Sequence, residues 1–333
     1  MVPISKSSEN GQGRGIVLNP GTAPAVPPLP GLEGTPYWTN REAVATTEVP
    51  RSLIVLGGGP VGVEFAQIFA RFGARVSVVV PRRLLPQDEP QAGELLAKTF
   101  AEEGITVRGG ARGTGVGYDG REFTLTLDDG EPLRAERLLV ATGRRTDLAA
   151  LGIGAVGLDE AAKSIPVDNR MRAAEGVWAI GDVTGAGAFT HVSMYQARIA
   201  AHDILGDGTE VAHYRAVPRV TFTDPEVGAV GMTEEQARAA GLRVRIGCTE
   251  VPSSVRGWIH QAGNAGFIKL VEDADRGVLV GACSMGPQGG EVLGALAVAV
   301  HAQVPTARLR EMILAYPSFH RAIESALDAL ASG

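Results

Sequence analysis

The order of apolar and polar positions divides this chain into stretches with different periods. Residues 52–56 (SLIVL) are a short, almost unbroken apolar run between a charged residue and glycines, which predicts a strand buried on both faces. From 60 to 72 the apolar positions recur at helical spacing. Val61, Phe65, Ile68, Phe69 and Phe72 fall near one face, and Gly73 supplies a stop. Residues 75–80 (RVSVVV) predict a second strand, 90–103 a second helix and 105–107 a third strand. The runs REFTLTL and LRAERLLV flank Asp129-Gly130 and predict a hairpin. Strand–helix–strand–helix–strand is the pattern of a parallel sheet covered by helices.

On either side of this block the pattern changes. Residues 1–14 are polar and read as a flexible tail, and 16–18 as a short strand. The proline-rich stretch 23–34 reads as an extended connector, because proline fixes φ and removes a donor. A turn-rich region follows from 148. It ends in the strand GVWAI (176–180), the turn GDVTG and a long helix over about 190–205. From 216 onward come four strand-like runs, RVTFTDPEVGAVG, RVRIGCTEV, GFIKLVED and GVLVGACSM, and then helices at 289–302 and 318–331. That order predicts an antiparallel sheet with helices on one side, a separate α+β domain.

Composition narrows the class. A length of 333 residues suggests about two domains, and 44 % hydrophobic residues suffice for a sizeable core. Glycine, at 44 residues, is close to twice its usual share of about 7 %, an excess that serves tight turns and close approach of backbone to ligands. The net charge of −6, with no basic block, argues against nucleic acid as a partner. Cys248 and Cys283 form no paired motif and the histidines are scattered, so neither a disulfide framework nor a metal site is expected, and a reducing cytoplasm fits. The first fifteen residues lack the apolar core of a signal peptide. The longest apolar run, VLGALAVAV, falls short of the roughly 20 residues a membrane span requires.

The candidate chemistry begins at LIVLGGGPVGVEFAQ. Gly57, Gly59 and Gly62 form G-x-G-x-x-G between a predicted strand and a predicted helix, the context this motif requires. Gly57 permits the tight turn, Gly59 lets backbone approach a pyrophosphate, and Gly62 lets helix pack on strand. Pro60 and Val61 complete the helix start, whose free N–H groups attract phosphate. The alternative is a glycine-rich turn with no ligand. An NAD site usually carries an acid about 20 residues past the first glycine. Here Val79, Val80 and Pro81 stand in that region, followed by Arg82 and Arg83. Either these arginines accept the 2′-phosphate of NADP or they are a solvated turn; both readings stay open.

Six stretches, in order, resemble the pyridine nucleotide–disulfide oxidoreductase family: PAVPPLPGL, GGGPVGVEFAQIFARFGARVSVV, LLVATGRRTDL, GVWAIGDVTG, VPRVTFTDPEVGAVGMTEEQA and YPSFHRAIESAL. The resemblance implies a Rossmann-like nicotinamide-binding domain (49–145) inserted in a partial FAD-binding domain (15–48 and 146–215), with a C-terminal α+β dimerisation domain (216–333). In the family the chain leaves the flavin domain at an ATGxxP strand and re-enters after an ATGRRP-like strand. Residues 16–30 resemble the exit, with Asn19-Pro20 in place of Ala-Thr, and 141–147 resemble the re-entry. The family's segment before that exit carries a first GxGxxG, a ribose acid and a redox CxxxxC. None of these has a counterpart in this sequence, so the flavin site is expected to be incomplete.

The resemblance also assigns residues. Gly143 and Arg144 go to the nicotinamide cofactor, as does Glu64, which would lie near the nicotinamide. Gly181 and Asp182 go to the flavin, with Asp182 bonding the ribityl chain; a simple strand-end turn is the alternative there. Disulfide reductases of the family carry His-Pro-Thr-x-x-Glu near the C-terminus. The matching positions here run from Tyr316 to Arg321, so a tyrosine, with an ordinary pKa of about 10, replaces the histidine base. His320 and Glu324, at i and i+4, read as a solvated pair. The implied activity is NAD(P)H-dependent: hydride passes to FAD and then to a small-molecule acceptor other than a disulfide, such as a quinone. The alternative is a non-catalytic, NAD(P)-binding dimeric remnant. A homodimer through 216–333 is expected, because the helix GGEVLGALAVAVHAQV is apolar on more than one face.

Overall fold

The computed structural model describes residues 15–332; the predicted tail over 1–14 lies outside them. The described residues form two compact units. One joins 15–25 to 144–214, the other 26–143 to the segment from 215 onward.

The larger unit is built on a parallel sheet of four strands in the order Thr106–Gly109, Arg75–Val80, Ser52–Leu56, Arg137–Val140. Ser52–Leu56 is buried at every position, as its unbroken apolar run demands. The chain builds outward from it through the Pro60–Arg71 and Pro90–Glu102 helices, then returns to its other side with Arg137–Val140. This reversal of order opens a crevice at the strands' C-terminal ends, where ligands of such sheets bind.

Two details differ from the pattern reading. The run LRAERLLV is not one hairpin arm. Leu133–Ala135 pairs with Phe123–Leu127 in a small ribbon that also includes Gly113–Tyr118, whereas Arg137–Val140 joins the parallel sheet. The Pro60–Arg71 helix also turns a different face inward. Gly62, Val63, Ala66, Gln67 and Phe69 are buried, while Ile68 and Phe72 are 44 % and 67 % exposed. Small residues let this helix lie close on the sheet, so size rather than hydrophobicity chose the face.

The C-terminal segment forms an antiparallel sheet of five strands, one more than the pattern suggested. Their order is Pro218–Thr221, Glu226–Gly231, Val278–Gly286, Phe267–Asp273, Val244–Glu250. The first run splits in two around Asp224-Pro225. The Gly289–His301 and Ala322–Ser332 helices cover one face. On the other face Val227, Phe267, Cys283 and Met285 join the core that contains Val55 of the parallel sheet, Phe69 of the Pro60–Arg71 helix and Leu84 of the loop after Arg75–Val80. Burial on both sides explains why Phe267–Asp273 is buried throughout. No helix among the described residues is long and apolar enough to cross a membrane.

The smaller unit holds a three-stranded sheet, with Ile16–Leu18 parallel to Val177–Ala179 and Arg172–Ala174 on the far side. The Thr190–Leu205 helix lies where the sequence placed it. Ala23–Pro24 pairs with Arg144–Arg145, so the chain's way out of this unit and its way back run side by side.

Candidate functional site

The glycine turn stands at the C-terminal end of Ser52–Leu56. Gly57 has φ +123°, and a Cβ there would sit 2.2 Å from the Ala141 carbonyl oxygen; its own N–H donates to Val79. At Gly62 a Cβ would lie 2.1 Å from the Gly57 carbonyl oxygen. These two glycines are therefore required by the protein's own packing. Gly59 differs: its φ is −77° and a Cβ would meet nothing within 4 Å. Gly59 is the N-cap of the Pro60–Arg71 helix, no side chain caps it, and Pro60 occupies the first turn without an N–H. The N–H groups of that turn lie at the positive end of the helix dipole, an arrangement that favours an anion. Val61 stands beside them, 37 % exposed, and Gly143, at φ +124° with open space around it, ends the neighbouring strand's turn.

The loop after Arg75–Val80 separates the two arginines. The Arg83 guanidinium turns back into its own loop and donates to the carbonyls of Leu84 (3.3 Å), Leu85 (2.7 Å), Pro86 (3.2 Å) and Asp88 (2.7 Å). Its donors bond backbone of its own loop, whereas a ligand for a 2′-phosphate needs donors that face outward. Arg82 is exposed. Both arginines border a largely apolar cavity of about 380 Å³, lined also by Val80, Leu84, Gly93 and Ile105. The loop is tied down at both ends. The Leu85 N–H donates to Gly58, Asp88 accepts from Arg219 at 2.7 Å, and Glu89 accepts from the buried Lys269 at 2.7 Å.

Glu64 follows the turn on the same helix. It is half-buried, and its carboxylate accepts the Phe222 N–H at 2.8 Å. Burial pushes its pKa up, and the Phe222 amide acts in the opposite direction. Gln67 and Arg71, further along the same stripe, were not singled out in the sequence; a glutamine inside an apolar helix gives no signal of its own.

In the smaller unit, Gly181 has φ +76°, and a Cβ would meet Asn19 Oδ1 at 2.4 Å. Its N–H donates to Gln196 Oε1 at 2.6 Å. The Asp182 carboxylate accepts from Thr22 Oγ1 at 2.6 Å and lies 3.6 Å from Arg144 Nε. Arg144 also donates to the Thr22 carbonyl at 2.7 Å. Arg144, assigned to the nicotinamide cofactor from the sequence, thus stands beside Asp182 with its side chain 38 % exposed. Both contacts to Asp182 engage one carboxylate oxygen, Oδ2, and the Asp182 side chain is 19 % exposed, so acceptor capacity remains at this turn.

The sulfur and tyrosine candidates are also placed. Cys248 and Cys283 both lie opposite Lys269, on the two strands flanking it. Two strand spacings of about 4.8 Å exceed the roughly 7 Å limit for a disulfide. Burial raises the thiol pKa of both, Cys283 far more, so neither is poised as a thiolate. Tyr316 is 65 % exposed, with the Arg321 guanidinium 5.4 Å over its ring. Glu324 pairs with Arg321 at 3.1 Å, rather than with His320 as the helical spacing suggested.

Comparison with known proteins agrees with this geometry. A family model described as pyridine nucleotide-disulphide oxidoreductase matches residues 5–198, and the dimerisation domain of that family matches 217–327. The chain is 35 % identical over 303 residues to a mercuric reductase of Shewanella putrefaciens, covering 90 % of itself and 54 % of that protein. It is 36 % identical over 329 residues to a dihydrolipoyl dehydrogenase of Chlorobaculum tepidum, covering 96 % of itself and 69 % of that protein. Among solved structures, the Cu(II) complex of the HOCl-induced flavoprotein disulfide reductase RclA from Escherichia coli superposes with a TM-score of 0.86 at 28 % identity, over 95 % of this chain and 72 % of that one. LpdA from Mycobacterium tuberculosis gives a TM-score of 0.84 at 28 % identity, over 94 % and 69 %.

Proposed function

The chain belongs to the pyridine nucleotide-disulphide oxidoreductase family, and from that premise we propose that it binds NADP(H), and NAD(H) less tightly, at the Gly57–Gly62 turn. The observation that carries the reading is Gly59, the one glycine of the motif whose missing side chain leaves open space at an uncapped helix start. The Gly59–Gly62 backbone would hold the pyrophosphate. Arg82, exposed at the end of the second strand and with no acid at Val80, would take the 2′-phosphate. A bound reduced nicotinamide supplies a hydride. Glu64, whose pKa burial pushes up and whose carboxylate the Phe222 amide fixes, would present a carboxyl group at the nicotinamide end.

The chain spans about half the length of the mercuric reductases of Shewanella putrefaciens and Shigella flexneri, so the activity of a whole enzyme is carried over only as a proposal: an NAD(P)H-dependent flavoprotein oxidoreductase whose acceptor is not a disulfide, a quinone for instance. The separation of Cys248 and Cys283 supports the last clause for these two cysteines. A second reading, an NAD(P)-binding dimeric unit without catalysis of its own, is supported by the pairing of the Gly181 amide and of Asp182 Oδ2 within the protein. Both readings share a homodimer through 216–333, the region that contains the match to the family's dimerisation domain. Ile313, Trp258 and Tyr316, 99 %, 69 % and 65 % exposed, are apolar surface that such an interface would cover.

Calorimetric titration of the full chain with NADPH and NADH tests the central claim. Tighter NADPH binding that Arg82→Ala weakens at least tenfold is expected; tighter NADH binding that survives Arg82→Ala would refute it. Adding FAD, desalting, and then assaying quinone-dye and disulfide reduction separates the two further readings.

A further inference from the structure

The Pro60–Arg71 helix presents Glu64, Gln67 and Arg71 on one stripe, at spacings of three and four. All three meet one short segment, Phe222 to Asp224, just after the Pro218–Thr221 strand. Glu64 accepts the Phe222 N–H at 2.8 Å. Gln67 pairs with both backbone groups of Asp224: its Oε1 accepts the N–H at 2.8 Å and its Nε2 donates to the carbonyl at 2.8 Å. The same Nε2 reaches Glu103 at 3.0 Å. Arg71 bonds the Asp224 carboxylate at 2.9 Å and Glu103 at 2.6 Å.

These contacts are unequal. Arg71 and Asp224 are about half-exposed, and a pair of that kind contributes little. Gln67 is 4 % exposed, and its amide docks on Asp224 as one strand docks on another. Two parallel hydrogen bonds fix both the height of the helix along its axis and its roll. The helix begins at Gly59, so whatever fixes its roll also fixes where its first N–H groups point. It fixes the distance of the Glu64 carboxylate from that turn as well.

We propose that Gln67 is a positioning residue for the dinucleotide: by docking on the Asp224 backbone it holds the Gly59–Gly62 turn and Glu64 in one register. Gln67 acts through the helix and touches no ligand atom. The inference rests on the dinucleotide reading above.

The test uses the full chain, NADPH, and adenosine 2′,5′-bisphosphate, a fragment lacking both pyrophosphate and nicotinamide. Gln67→Met keeps the shape and removes the docking. It is expected to weaken NADPH binding at least tenfold while changing fragment binding less than twofold. Asp224→Asn, which spares the backbone pairing, should leave both within twofold. A folded Gln67→Met protein with unchanged NADPH affinity, or with equal losses for NADPH and fragment, overturns the proposal and leaves the dinucleotide site standing. Failure of the unaltered chain to bind either nicotinamide cofactor overturns both. Should Gln67→Met not fold, hydrogen exchange on the unaltered chain decides. NADPH should slow the Phe222 and Asp224 amides along with those of 57–62, and slowing confined to 57–62 would count against the idea.

Discussion

Two turns in this molecule place a glycine at the end of a buried strand and treat their polar groups in opposite ways. At 57–62 the packing consumes two glycines and leaves the third, Gly59, facing open space with the donors of an uncapped helix. At Gly181–Asp182 the packing engages the amide and one carboxylate oxygen. The amide goes to Gln196, the carboxylate to Thr22, and the space a side chain would need is taken by Asn19. A polar group can recognise a ligand only if the fold has not already paired it, because hydrogen-bond partners inside a protein are seldom left open. The same contrast recurs in a single loop, where Arg82 is exposed and Arg83 is bonded to four carbonyls.

Substitution at the glycine turn should give the largest effects and can break this comparison outright. Gly57→Ala forces a side chain into φ +123° and against the Ala141 carbonyl. A loss on the order of 3 kcal/mol or more is expected, read as a large drop in thermal midpoint. Gly59→Ala should cost under about 1 kcal/mol in stability yet weaken NADPH binding roughly tenfold or more, ~1.4 kcal/mol. If Gly59→Ala binds as well as the unaltered chain, Gly59 does not face the ligand.

Next comes the closed turn. Thr22→Val takes the donor from the Asp182 carboxylate, whose side chain is 19 % exposed, and should cost about 1–3 kcal/mol. Hydrogen exchange within 177–205 should quicken while NADPH affinity stays constant. Constant exchange there would mean the carboxylate finds another partner and the turn is less closed than its contacts imply.

The two arginines sharpen the contrast. Arg83→Ala should lower stability by about 1–2 kcal/mol and leave the NADPH-to-NADH affinity ratio within twofold. Arg82→Ala should do the reverse. A drop in the ratio for Arg83→Ala alone, with stability unchanged, would assign recognition to the wrong residue.

The smallest effect concerns Glu64. Burial raises its folded pKa above the ordinary 4.5, so the folded state holds its proton more tightly than the unfolded one. That contribution is full below about pH 4.5 and is lost as pH rises through the folded value. Glu64→Gln should therefore gain thermal midpoint relative to the unaltered chain as pH rises from 4 to 7. A difference that does not vary with pH would show that Glu64 is not shifted.

By itself the sequence determined the parallel-sheet block, the Thr190–Leu205 helix, the antiparallel C-terminal sheet and the G-x-G-x-x-G turn. Each is carried by local period or local turn chemistry, and the six family stretches set their order. It could not say that LRAERLLV divides between two sheets, because both destinations want the same alternation and only the partner strands distinguish them. Nor could it choose the inner face of the Pro60–Arg71 helix, where close approach favoured Gly62 and Ala66 over Ile68 and Phe72. The tertiary structure alone separated Arg82 from Arg83, drew Arg144 to Asp182, and set Gln67 against Asp224. Those outcomes depend on which groups meet across 36 to 157 residues of chain, or on how a loop folds back, and no spacing in the sequence encodes a hydrogen bond formed at that distance.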